Sequence, residues 1–111
     1  MTTTQDHVRQ FALSLPGVEE SSHRGRPDLR VGGKIFATLP TETASVNVKI
    51  APENLEHLLK REPETFSSIW GQRWVGVALA RISFHEVCLL LEDAWRLTAP
   101  KRLQRELDAR S

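Results

Sequence analysis

The pair Gly32-Gly33 constrains this chain more than any other feature, because it separates two short strand-like runs, Leu29 to Val31 and Lys34 to Leu39. Two adjacent glycines can both take positive φ, as the central residues of a tight two-residue hairpin turn must. The stretch RGRPDLRVGGKIFATL, from Arg24 to Leu39, is therefore predicted to be a β-hairpin with its approach. Arg24, Arg26, Arg30 and Lys34 fall within it, His23 stands just before it, and Asp28 alone opposes them. This local excess of positive charge is the feature that points to a partner.

The chain has 111 residues, 40% hydrophobic and 26% charged, the balance of one soluble globular domain over residues 1–111. Its formal charge is only +1, so affinity for a polyanion has to come from how the 15 basic residues are distributed. A single cysteine, Cys88, excludes an internal disulfide. With a polar N-terminus MTTTQDHVRQ and no secretory leader, a cytoplasmic protein is expected. No apolar run approaches the roughly 20 residues that cross a bilayer. A monomer is expected.

Thr3 and Asp6 suggest a helix start, and Val8, Phe11, Ala12 and Leu15 follow at helical spacing until Pro16-Gly17 stops them. Residues Val18 to His23 are polar and extended. In the second hairpin strand, simple alternation puts Ile35, Ala37 and Leu39 on one side and Lys34, Phe36 and Thr38 on the other. After a turn over Pro40 to Ala44, Val46, Val48 and Ile50 alternate with Ser45, Asn47 and Lys49 as in a half-buried strand, which points Lys49 to solvent. Pro52 opens a helix carrying Leu55, Leu58 and Leu59, with acids early and bases late along its dipole. Phe66, Ile69 and Trp70 read as a short helical turn or loop packed on the core. WVGVAL, Trp74 to Leu79, reads as an interior strand in which Gly76 admits a close neighbour.

Ser83 to Glu86 has the Ser-x-x-Glu pattern of a capping box and opens a helix bearing Val87, Leu90, Leu91 and Ala94. Ala99-Pro100 breaks it, and a last helix carries Leu103 and Leu107. The order helix, strands, helix, strand, helix, helix implies an α+β two-layer sandwich, one antiparallel sheet with its helices mainly on one face.

The segments GRPDLRVGGKIFATL, ENLEHLL, EPETF, WVGVALARI and LLEDAWRLTAPKRL together resemble the MmcQ/YjbR family over nearly the whole chain. GRP, RVGGKIFA and APKRL are specific in combination. The resemblance implies a CyaY-like fold, shared with frataxins, and a "double wing" DNA-binding role. Trp70 and Trp95 depart from the family pattern, which often has tyrosine there, and Ala80 departs where an acid is common. Any role of a phenol hydroxyl or of that carboxylate does not carry over.

For DNA, Arg24, Arg26, Arg30, Lys34, Lys49 and Arg73 are the candidate phosphate contacts, with Lys101, Arg102 and Arg105 extending the footprint. A two-stranded ribbon fits a major groove, and tryptophans can stack on bases. Core packing is expected of Trp95, whereas Trp70 and Trp74 sit among Gly71, Gln72 and Arg73 and suit either role. The competing account is that such charges only solubilise, or that the same basic face binds a protein or a small anion through His23, Arg26 and Lys49. A metal site is not expected: frataxin-like iron binding needs an acidic ridge, and the first helix offers only Asp6, with Glu19 and Glu20 beyond it. His85 and Cys88, three residues apart, are a pair and not a closed site. Cys88 reads as a small buried hydrophobe and His85 as a surface residue. No catalytic motif of the nucleophile-elbow, phosphate-loop or His-Glu-x-x-His type is present, so a binding module without cofactor is expected.

Overall fold

The computed structural model describes residues 3–110. Thr4, not Thr3, caps the first helix, α1 (Gln5–Leu13): its hydroxyl accepts from the His7 amide at 3.2 Å and the His7 ring accepts from the Thr4 amide. Thr3 is buried instead, donating to the Ile82 carbonyl at 3.1 Å. Four strands follow, β1 (Val18–His23), β2 (Arg26–Val31), β3 (Lys34–Thr38) and β4 (Ser45–Lys49), then α2 (Pro52–Arg61), β5 (Phe66–Ser68), β6 (Trp74–Ala78), a turn of 3-10 helix at Leu79–Arg81, α3 (Phe84–Thr98) and α4 (Lys101–Ala109).

All six strands form one antiparallel sheet in the order β1-β2-β3-β4-β6-β5. The expected hairpin is β2–β3, with Gly32 and Gly33 at φ of 60° and 78° and Val31 paired to Lys34. The polar stretch before it is a strand in its own right. Arg24-Gly25 closes a second tight turn, β1 to β2, with His23 paired to Arg26 and positive φ at both turn residues.

The alternation expected along β3 does not hold. Leu29 pairs with Ala37 but Arg30 pairs with Ile35, so Phe36 is an extra residue, a β-bulge. Phe36 and Ala37 consequently both turn to the core and are fully buried, while Ile35 shares the opposite face with Arg30. The segment from Phe66 is likewise a strand and not a helical turn. Phe66 is buried, but Trp70 is 64% exposed.

α1 and α3 pack on the sheet beneath a single cluster of buried apolar side chains, including Val8, Leu29, Val46, Val75, Leu91 and Trp95. The Ser83 hydroxyl caps α3 through the Glu86 amide at 3.1 Å, one half of the expected box; the Glu86 carboxylate pairs with Arg61 of α2 instead. Pro100 ends the α3 segment and its ring lies 3.4 Å from where a Cβ on Gly32 would be, so the tip of the β2–β3 turn rests against the start of α4. No helix among the described residues is long and apolar enough to cross a membrane.

Candidate nucleic-acid interface

With the main helices packed on one side, strand alternation places Asp28, Thr38, Asn47 and Gly76 in one row across the other, the partners in register from β2 to β6. Gly76 is needed there, because a Cβ would lie 2.8 Å from Ser67 Oγ and 3.3 Å from Asn47 Oδ1. The Asn47 amide donates to the Thr38 hydroxyl at 3.1 Å, which fixes the middle of the row.

A cleft of about 590 Å³ opens over this row. Ile35, Thr38 and Asn47 line its centre, with Leu39 and Pro40 at one end. Gln5 of α1 secures that end from behind: its side-chain amide donates to the carbonyls of Pro40 at 2.7 Å, Ser45 at 2.8 Å and Thr43 at 3.1 Å. His23, Arg24 and Arg26 come from the β1–β2 side, and Trp70 and Trp74 from the β6–β5 side. The two indoles meet edge to face, with centroids 5.4 Å apart and planes at 75°. Ser68 Oγ donates to the Gly71 carbonyl at 3.0 Å and holds the turn that carries Trp70.

The cations singled out in the sequence do not all gather here. Arg24 and Arg26 line the cleft, Arg26 with Glu42 at 3.5 Å, both side chains mostly exposed. Arg30 is on the same face but committed: its Nε and Nη2 donate to Asp28 Oδ1 and Oδ2 at 2.8 and 3.1 Å, and Asp28 is only 1% exposed. That bidentate pair raises the Arg30 pKa further and removes its charge as a free contact. Lys34 pairs with the inward-facing Val31 and so lies on the helix side of the sheet, at the turn that meets Pro100. Lys101, Arg102 and Arg105 follow Pro100 on α4, all exposed. Lys49 pairs across strands with Trp74 and is half-buried, not open to solvent as expected, and Arg73 is exposed beside it. The basic residues thus form one group at the β1–β2 turn and another near the β2–β3 turn and α4, while Lys49 and Arg73 stand apart at the β4–β6 pair, Lys49 lining a separate cleft beside α2 and α3. Among the described residues, no three His, Cys, Asp or Glu side chains cluster as a metal site would require. Cys88 is half-buried, and desolvation raises its thiol pKa; His85 is exposed.

Sequence reasoning offered Trp70 and Trp74 as either core or contact residues but missed the cleft that joins them to the Thr38–Asn47 floor. The signal available was the polar Asn47 between Val46 and Val48, which alternation alone assigns to the outer face.

A small α+β protein with an uncovered sheet face, bearing a cleft with basic and aromatic walls, is the class these features define. The YjbR family model matches residues 13–97, and the chain belongs to the YjbR family. Protein DR2400 of Deinococcus radiodurans, which carries a DUF419 domain, has a similar crystal structure with a TM-score of 0.79 at 20% identity, over 86% of this chain and 78% of that one. A Pseudomonas syringae protein superposes with a TM-score of 0.68 at 16% identity, over 86% of this chain and 99% of its own. At these identities the likeness is one of fold. No curated protein matches the sequence.

Proposed function

We propose that this YjbR-family protein is a DNA-binding module whose contact surface is the uncovered sheet face, with Arg24 and Arg26 of the β1–β2 turn on phosphates. The observation that carries this is the cleft itself: mobile-stemmed guanidinium groups on one wall and indole rings on the other match the two parts of a nucleotide, an anion and a flat ring. Lys34, Lys101 and Arg102 belong to the second basic group, at the far turn on the helix side, and are not counted among the contacts of this face. Arg30 is not counted, because a contact would have to compete with Asp28.

A salt titration tests it. Duplex DNA binding should weaken linearly on a log-log plot, by about 0.9 per phosphate neutralised. Replacing Arg24 and Arg26 by alanine should lower that slope by about two contacts' worth. A flat salt response, or no binding at low salt, overturns the reading. The cleft's volume lies within the roughly 300–1,000 Å³ typical of small-ligand sites, which favours a small anionic ligand as the second reading. That reading predicts binding of a free nucleotide or phosphate with no dependence on strand length.

A further inference from the structure

Two non-glycine residues have left-handed backbone among the described residues, Arg24 at φ 54° and Trp70 at φ 49°, and both line this cleft. Such conformations are unfavourable for L-residues, and for a bulky one they mark a genuine outlier. Neither is required by the core, since both side chains are exposed; the two-residue β1–β2 turn imposes the conformation of Arg24, whereas Trp70 lies in a longer connection that does not. The adjacent glycines, Gly25 and Gly71, accept positive φ freely; Arg24 and Trp70 do not. Strained residues of this kind cluster where a ligand is held. Here they stand on opposite walls of one cavity.

We propose that the cleft takes an unpaired base of single-stranded DNA, its ring on Trp70 and its phosphate toward Arg24 and Arg26. The inference rests on the DNA-binding reading above and adds strandedness to it. A duplex hides its base faces inside the stack and offers only edges in its grooves, whereas an unpaired base presents a whole face to an indole. Trp70, 64% exposed, has ring surface to receive it. The walls stand at opposite corners of the face: from Arg26 to Trp74 the register crosses three strand spacings, about 14 Å, and runs four residues along the strands, about 13 Å, so the arginine and indole side chains reach inward along a diagonal. On the floor, the Thr38 hydroxyl and the Asn47 amide offer hydrogen-bonding groups to a base edge.

The test measures fluorescence anisotropy of the intact chain with one labelled oligonucleotide, as a single strand and as the duplex with its complement, and with free deoxynucleoside monophosphate as competitor. The single strand should bind more tightly than the duplex. Trp70→Ala should weaken single-strand binding about 5- to 150-fold, the range expected for losing one stacked base, with duplex binding little changed. Trp70→Phe should retain most of the affinity, and quenching of tryptophan emission should accompany binding. Unchanged single-strand affinity in Trp70→Ala, or a duplex bound at least as tightly, overturns the proposal. So does a monophosphate that competes as well as the strand. If the salt slope persists while Trp70→Ala is silent, only the stacking inference fails; if no DNA binds at any salt, the underlying reading fails with it.

Discussion

The indole Nε1 of Trp95, on α3, donates to the Pro16 carbonyl oxygen at 3.0 Å across 79 positions of sequence. Trp95 is fully buried, so this bond fastens the longest helix to the turn between α1 and β1. Trp95→Phe keeps an aromatic ring but leaves that carbonyl without its donor. The expected cost is about 1–3 kcal/mol, read as a lower urea midpoint, against a change within about 0.5 kcal/mol for Trp70→Phe.

Arg24-Gly25 occupies the two central positions of the β1–β2 turn, where asparagine is the preferred first residue. Arg24→Asn should therefore stabilise the fold, by about 0.5–1 kcal/mol, through relief of the left-handed strain. The same change should weaken DNA binding. A variant that melts higher yet binds as tightly as the parent would separate Arg24 from the contact surface.

The Asp28–Arg30 pair should behave as structure and not as a contact. Arg30→Ala strips a buried carboxylate of both its donated bonds, so thermal melting should fall clearly. Arg26→Ala, at an exposed position, should leave stability within about 0.5 kcal/mol while weakening DNA binding. Equal melting temperatures for the two variants would contradict this division of roles.

A second cleft, of about 470 Å³, lies between α2 and α3 and is lined by Leu58, Leu90, Leu97 and Asp93, among others. Desolvation, followed by the neighbouring Glu92, pushes the Asp93 carboxyl pKa up, with Arg96 acting against them. The folded state then holds this proton more tightly than the unfolded chain, so stability falls as pH rises from the ordinary carboxylate range through the raised value. Asp93→Asn should melt higher than the parent at neutral pH, and the difference should vanish below about pH 4. Parallel pH profiles for the two proteins would show that Asp93 carries no such penalty.

Much of the architecture was legible in the residues. Paired glycines at 32 and 33, the serine capping α3, the proline after Ala99 and the period of Val87, Leu91 and Ala94 each act within a few positions of themselves, so spacing alone finds them. The β1 strand was less visible because Val18–His23 holds one apolar residue, and its pairing depends on a turn at Arg24-Gly25 that arginine does not announce.

What sequence by itself determined is the fold class, which follows from local propensity and apolar period, and the family, which the motifs GRP, RVGGKIFA and APKRL carry by resemblance. Tertiary structure alone decided the surface. The bulge at Phe36 exists only in the match between β2 and β3, and one inserted residue reverses every side chain before it, sending Ile35 outward and Lys34 to the helix side. Arg30 was counted as a free cation because pairing requires Asp28 to be held beside it on one face. The cleft joins residues 23–26 to residues 70–74, brought into one cavity across β3 and β4; no count along the chain reports that, because charge and exposure belong to the assembled face and not to the residue.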